Sequence, residues 1–379
     1  MTDRLTRRRL LGLLGTGAGA HLLDRLHPSA AFAQTMPAWL SARTPRPTFP
    51  QGAVIRTILK DLSPADLAGA TLFHEHVGEF TPPTPLGPND ITPGPRVAKS
   101  EAEFVDLMVD ELKMARTDGL SCVVDSALGR RTDKVLESLR TIAERSGVHL
   151  VVGGGYYSDS SMPSVMPPEV AAMPEDQLAD MLTKDAAAQR WGAFGEIASS
   201  PKMLPEERKL FRALGKAMLR TGMALYTHTP HEGCPSCALE QLDVLESVGV
   251  SPSRVCIGHI ATIKPGSEPL GQTAKTLAKR GAFVGFDTVG HQMGRSQIPE
   301  IDKIKHVMAV LEAGYEKNLL FSNDSTPVPQ MKSNWGSGFA NVLVQFIPKL
   351  RYLGVKETTF RTILVDNSRR LLAFVPKAG

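Results

Sequence analysis

From about residue 50 onward the chain alternates between two hydrophobic patterns. Short, nearly continuous apolar runs come first: "ATLFHEH" (70–76), "SCVVDSA" (121–127), "HLVVGGG" (149–155), "GAFGEIA" (192–198), "MALYTHT" (223–229), "VCIGHIA" (255–261), "AFVGFDT" (282–288) and "LLFSNDS" (319–325). Between them lie stretches with apolar residues every three or four positions, such as "EAEFVDLMVDELKMARTDG", "VLESLRTIAERSG", "EERKLFRALGKAMLRTG", "ALEQLDVLESVG" and "LGQTAKTLAKRG". That spacing predicts amphipathic helices, and the closing Gly suits a left-handed helix end. Runs that are apolar throughout predict strands covered on both faces, which means parallel pairing with helical crossovers. Eight such units in one domain predict an α/β fold, the (β/α)8 TIM barrel. A doubly wound open sheet is the alternative, but it calls for a Gly-rich phosphate loop after the first strand, and none is present. No tandem repeat is visible. Residues 34–50 are Pro-rich and read as an N-terminal arm, with residues 51–379 as the barrel domain.

The chemistry sits at the ends of these runs. In "HEH" (74–76), residues i and i+2 of a strand point to one face, so His74 and His76 project together. The fourth strand is expected to end near Glu196, the fifth at His228, the sixth at His259 and the eighth at Asp324. In this barrel the functional face is the C-terminal end of the strands, built from several strands at once. Four histidines and two carboxylates therefore converge on one face, as a metal pocket requires.

The first 33 residues follow another pattern. Thr6-Arg7-Arg8-Arg9-Leu10-Leu11 opens a weakly apolar, Gly- and Ala-rich stretch that ends in Ala31-Phe32-Ala33 before Gln34. These are the marks of a twin-arginine signal peptide with an A-x-A cleavage site. The stretch is too short for a membrane span, and His21, Asp24 and Arg25 interrupt it. The expectation is export by the twin-arginine machinery to the periplasm or beyond, as a protein with no membrane segment in its mature form. The formal net charge is +4. Five arginines against two aspartates fall within residues 1–33, so the remainder is close to neutral. Nothing in the charge favours a nucleic-acid or anionic-membrane partner. Four cysteines are too few for a disulfide scaffold at this length. Cys122 and Cys256 lie in apolar runs and read as buried thiols. Cys234 and Cys237 form "CPSC", open to reading as a short disulfide, two free thiols, a redox pair or a stray metal site.

Taken in order, "HEH" (74–76), "LGR" (128–130), "GGGYY" (153–157), "GEIASS" (195–200), "THT" (227–229), "IGH" (257–259), "SND" (322–324) and "DNSRRLLAF" (366–374) resemble the phosphotriesterase family of amidohydrolase-type, binuclear metal-dependent hydrolases. The likeness spans about residues 50–375. It implies that His74, His76 and Asp324 hold a more buried divalent ion and that His228 and His259 hold a more exposed one. A strand-4 residue and a hydroxide would bridge the two. In many members that bridge is a carbamylated lysine. Here the position is Glu196, as in one branch of the family, while Lys202 lies past the strand end. Glutamate is shorter and needs no carbon dioxide chemistry, which argues against strong phosphotriesterase activity. Imidazole and carboxylate donors suit Zn2+ first, with Mn2+, Co2+ or Fe2+ also accommodated. The hydroxide would attack an ester or lactone, amide or phosphotriester centre, with Asp324 taking the proton. Ester, lactone and amide substrates are preferred because of Glu196.

Five further residues are candidates for contacts to a small-molecule substrate. Tyr157 follows the third strand, where related lactone-cleaving members carry a tyrosine. Arg130 either meets an anionic group or ties a loop by an ion pair. Asp287, ending the seventh run, bonds either a ligand histidine or the substrate. His291 and Trp335 lie in the loops after strands 7 and 8. Glu75 faces away from its neighbours, towards the outer helices, and carries no assigned role. His231 and His306 read as surface or structural. The resemblance implies a homodimer. A non-catalytic periplasmic metal-binding protein on the same scaffold is the competing class, set against by a ligand set with every position filled.

Overall fold

The computed structural model describes residues 37–78, 98–126, 128–158, 166–230, 233–290, 298–325, 331–334 and 336–377. The apolar runs fold as eight strands: β1 (Ala70–Glu75), β2 (Leu120–Asp125), β3 (His149–Gly154), β4 (Trp191–Ala198), β5 (Ala224–His228), β6 (Val255–Ile257), β7 (Phe283–Phe286) and β8 (Leu319–Phe321). Each pairs in parallel with the next in sequence. Helices fill the crossovers: α1 (Glu101–Thr117), α2 (Asp133–Ser146), α3 (Glu175–Ala188), α4 (Pro205–Thr221), α5 (Pro235–Ser247), α6 (Gln272–Arg280) and α7 (Glu300–Glu312). The result is a nearly closed eight-stranded barrel. Among the described residues no helix is long and apolar enough to cross a membrane.

Local chemistry explains the helix limits. Ser100 caps α1 by accepting the Glu103 N–H at 3.2 Å, while the Glu103 carboxylate accepts the Lys99 N–H at 2.8 Å. Gly147 and Gly222 end α2 and α4 with φ of 69° and 79°, a conformation that penalises any Cβ.

Two apolar layers hold the barrel together. Alternate strand residues point inward: Phe73, Val124, Val151, Ala193, Tyr226, Phe283 and Leu320 form a packed interior with Cys122 and Cys256. Both cysteines are free and fully buried, as their apolar runs suggest, and burial pushes the Cys122 thiol up to about 12. The outward residues pack under the helices in a second, larger layer. In the described part of the arm a short helix (Ala38–Ser41) buries Trp39 beside Gly119. The Arg361 guanidinium donates to the Leu40 carbonyl and the Thr44 hydroxyl to Asp366, tying the arm to the C-terminal helices.

Closure between β1 and β8 relies on side chains as much as on backbone. The Ser322 Oγ accepts the His74 N–H at 3.0 Å and lies 2.8 Å from the His74 carbonyl. The Asp324 N–H also donates to that carbonyl. Glu75, fully buried, accepts from Ser322 Oγ, the Asn323 N–H and side-chain amide, and the Ser325 N–H at 2.7–3.0 Å. This corrects the expectation that Glu75 turns outward to a helix: it laces the first strand to the turn after the last.

The strands also end sooner than the apolar runs suggest. His259 lies two residues beyond β6 and Asp324 three beyond β8. Both adopt left-handed backbone, φ 56° and 52°, which no strand tolerates and which costs a non-glycine residue about 1–3 kcal/mol. The apolar runs continue because these turns are buried too.

Candidate metal centre

His74, His76, Glu196, His228, His259 and Asp324 come together above the apolar interior, all buried. Their ligand atoms form three overlapping groups, each within 4.8 Å: His74, His76 and Glu196; Glu196, His228 and His259; His74, His259 and Asp324. Glu196 belongs to two of them. Its Oε2 lies 3.0 Å from His74 Nε2 and 2.8 Å from His228 Nδ1, while Oε1 lies 3.5 Å from His76 Nε2. Asp324 Oδ1 lies 3.2 Å from His76 Nε2 and 3.6 Å from His74 Nε2. His259 Nε2 is 2.7 Å from His228 Nδ1.

The residues fit a cation. His74 Nε2 is buried 3.0 Å from a carboxylate oxygen, yet no hydrogen bond satisfies it. A buried polar atom without a partner is costly, and a positive ion between the two groups removes that cost. Every donor is an imidazole nitrogen or carboxylate oxygen, the set that Zn2+ and its neighbours accept.

A second layer aims the ligands. Asp287 is fully buried beneath them. Its carboxylate meets His74 Nδ1 at 3.1 Å and His259 Nδ1 at 3.0 Å, and accepts the His259 backbone N–H at 2.9 Å. Both rings thereby present Nε2 to the centre. Of the two roles open to Asp287, bonding a histidine is the one these contacts display. Tyr157 Oη lies 3.1 Å from His228 Nε2, so His228 turns Nδ1 inward. The Tyr226 ring packs edge-on to His74, and its hydroxyl donates to Ser126. Burial opposes ionisation of Glu196, but His74 and His228 hold its carboxyl well below the usual range. Burial likewise opposes charge on His76, yet Asp324 and Glu196 raise it to about 9. His74 is raised well above its ordinary value by Glu196 and Asp324 against burial. Burial and neighbouring His259 lower His228.

Arg130 stands apart from this cluster. Its side chain is 58% exposed and reaches Asp185 of α3 at 3.6 Å. The next residue, Arg131, is the buried one. Its guanidinium donates to the Gly153, Asp125 and Ser126 carbonyls and to the Asp125 carboxylate, pinning the ends of β2 and β3. Asp125 in turn accepts the Val77 and Gly78 N–H groups just past His76. Neither Arg131 nor Asp125 stood out in the sequence, although charges ending an apolar run were the available signal. Lys202 is exposed. His306 is buried on α7. His231, His291 and Trp335 lie outside the described residues, as do residues 1–36.

Residues 53–372 match the model of the phosphotriesterase family. Among curated relatives, the N-acetyltaurine hydrolase of Dictyostelium discoideum is 27% identical, the match covering 72% of this chain and 74% of that protein. The N-acetyltaurine hydrolase of Homo sapiens is 26% identical, covering 84% of this chain and 98% of that protein. Among solved structures, the phosphotriesterase homology protein of Escherichia coli, complexed with phosphate in its active site, superposes with a TM-score of 0.65 at 26% identity, covering 81% of this chain and 99% of that one.

Proposed function

This chain belongs to the phosphotriesterase family of metal-dependent hydrolases, and from that premise we propose that it hydrolyses the amide bond of small N-acylated amines, N-acetylated amino acids and aminosulfonates above all. The names of its N-acetyltaurine hydrolase relatives support the amide class. The observation that carries a two-cation centre is the position of Glu196, shared between the His74–His76 group and the His228–His259 group. In this reading His74, His76 and Asp324 would hold one ion and His228 and His259 the other, with the Glu196 carboxylate within reach of both groups. Zn2+ is the first candidate.

Bound cations supply Lewis acidity and a water activated at neutral pH. The protein's own groups do the rest. Asp287 accepts the Nδ1–H of His74 and of His259, fixing their tautomers so that Nε2 stays a donor to the ion. With His228 Nδ1 turned inward, its Nε2–H donates to Tyr157 Oη. Asp324 takes the proton of the attacking water on its carboxylate and passes it to the leaving nitrogen. Amide and water thus become carboxylic acid and amine. The twin-arginine-type leader supports activity outside the cytoplasm, where sequencing the mature N-terminus would find Gln34.

The test is a kcat/KM panel on zinc-loaded protein: N-acetyltaurine, N-acetyl amino acids, an aryl ester, a lactone and an aryl phosphotriester, with metal content measured alongside. Amide turnover with about two metals per chain, and a loss on the order of a hundredfold or more in Glu196→Gln, is the expected result. If only the ester, lactone or phosphotriester turns over, the amide assignment fails while hydrolysis stands.

A further inference from the structure

The CPSC motif is not used by any of this chemistry. Cys234 and Cys237 form a disulfide at the start of α5, a helix of 13 residues. The two sulfurs are not equivalent. Cys234 is partly exposed and caps the helix, its Sγ accepting the Cys237 N–H at 3.3 Å. Cys237 is 1% exposed, and its Sγ lies 3.2 Å from the Pro201 carbonyl. A structural bond is a poor explanation. It spans three residues in sequence and so removes little chain entropy from the unfolded state. The other two cysteines are free and buried, so no disulfide framework exists.

Each feature suits the reduced form as well as the oxidised one. A Cys234 thiolate would keep the Cys237 N–H and gain the positive end of the helix, conditions that lower a thiol pKa. A Cys237 thiol would donate its S–H to the Pro201 carbonyl already in place. We infer that Cys234–Cys237 is a thiol–disulfide exchange site whose co-reactant is a dithiol, attacked at Cys234. A dithiol thiolate bonds to Cys234 Sγ, the protein S–S bond breaks, and its electron pair leaves on Cys237 Sγ, which takes a proton. The second thiolate of the reductant then attacks its own sulfur in the mixed disulfide and expels Cys234 as the thiolate. The dithiol ends as a disulfide, and the protein gains its two electrons. One turn further along α5, the Gln241 amide donates to the His228 carbonyl at 2.9 Å and to Ser199 Oγ at 2.8 Å. The exchange site therefore sits on the helix that grips the turns after β4 and β5.

The proposal is independent of which bond the enzyme cleaves, and its test needs no substrate. The full chain is equilibrated in graded dithiothreitol and acid-quenched, and its thiols are counted by alkylation and intact mass while circular dichroism follows the fold. Two thiols appearing with the fold intact are expected. Separately, Cys237→Ser should form a mixed disulfide with oxidised glutathione at Cys234 at least about tenfold faster than Cys234→Ser does at Cys237. A bond that yields only on unfolding, or equal rates at the two positions, overturns the proposal. The wild-type titration decides even if a variant misfolds.

Discussion

Asp287 accepts from three N–H groups at once, the two ligand imidazoles and the His259 backbone. Its carboxyl is held far below the usual range, burial opposing and the His259 and His74 imidazoles prevailing. An amide in its place offers one acceptor oxygen and turns an N–H towards another N–H. Asp287→Asn should therefore weaken metal affinity by about 10–100-fold without removing a ligand, measured by competition against a chromophoric chelator. The imidazoles also give the affinity a pH slope. In the metal-free protein His76 is raised to about 9, and His74 and His259 are raised as well. A cation must displace those protons at any pH below the raised values. Affinity should fall by at least roughly tenfold per pH unit as pH drops from about 9 towards neutrality. A flat profile would mean that the imidazoles are already neutral before metal binds.

At the scale of elements, strands and the turns just past them share the candidate ligands, and the turns after β3 and β7 supply the Tyr157 and Asp287 that aim them. The barrel was legible because eight apolar runs, each buried on both faces, recur with helices between them, and because His74 and His76 keep strand spacing. The turns were not legible. Left-handed backbone at His259 and Asp324 depends on partners from other strands, the Asp287 carboxylate and the His74 carbonyl. In "LGRR" the sequence shows two equivalent arginines, and only packing decides that Arg130 meets solvent and Arg131 the interior. That difference has a measurable size. Arg131→Met leaves the Asp125 carboxylate buried without its cation and should cost about 3–5 kcal/mol of unfolding free energy. Arg130→Met removes an exposed pair and should change it by less than about 1 kcal/mol. Urea unfolding of the two variants checks the contrast, and equal losses would place both guanidinium groups in solvent.

For the whole molecule, the candidate ligands come from β1, β4 and β5 and from the turns after β1, β6 and β8, so a cation held by them would tie together strands that the sequence keeps far apart. Anything that binds the folded chain alone raises its stability, by about 2.7 kcal/mol per site at a hundredfold excess over Kd. Chelation should therefore lower the melting temperature, and the size of the drop should depend on pH. In the metal-free fold, His76 is raised from 6.5 to about 9 by its carboxylate neighbours. That stabilisation is fully present below 6.5 and is lost as pH rises through 9, since the unfolded chain then binds fewer protons than the folded one. Glu196 and Asp324 are held below their ordinary values, so their contribution stays constant across this window. Metal binding runs the other way and strengthens as the same protons leave. The gap in melting temperature between zinc-loaded and chelated protein should therefore widen from pH 6.5 to pH 9, as read by scanning calorimetry. A gap that narrows over that range would mean that the cation is held by groups other than these imidazoles.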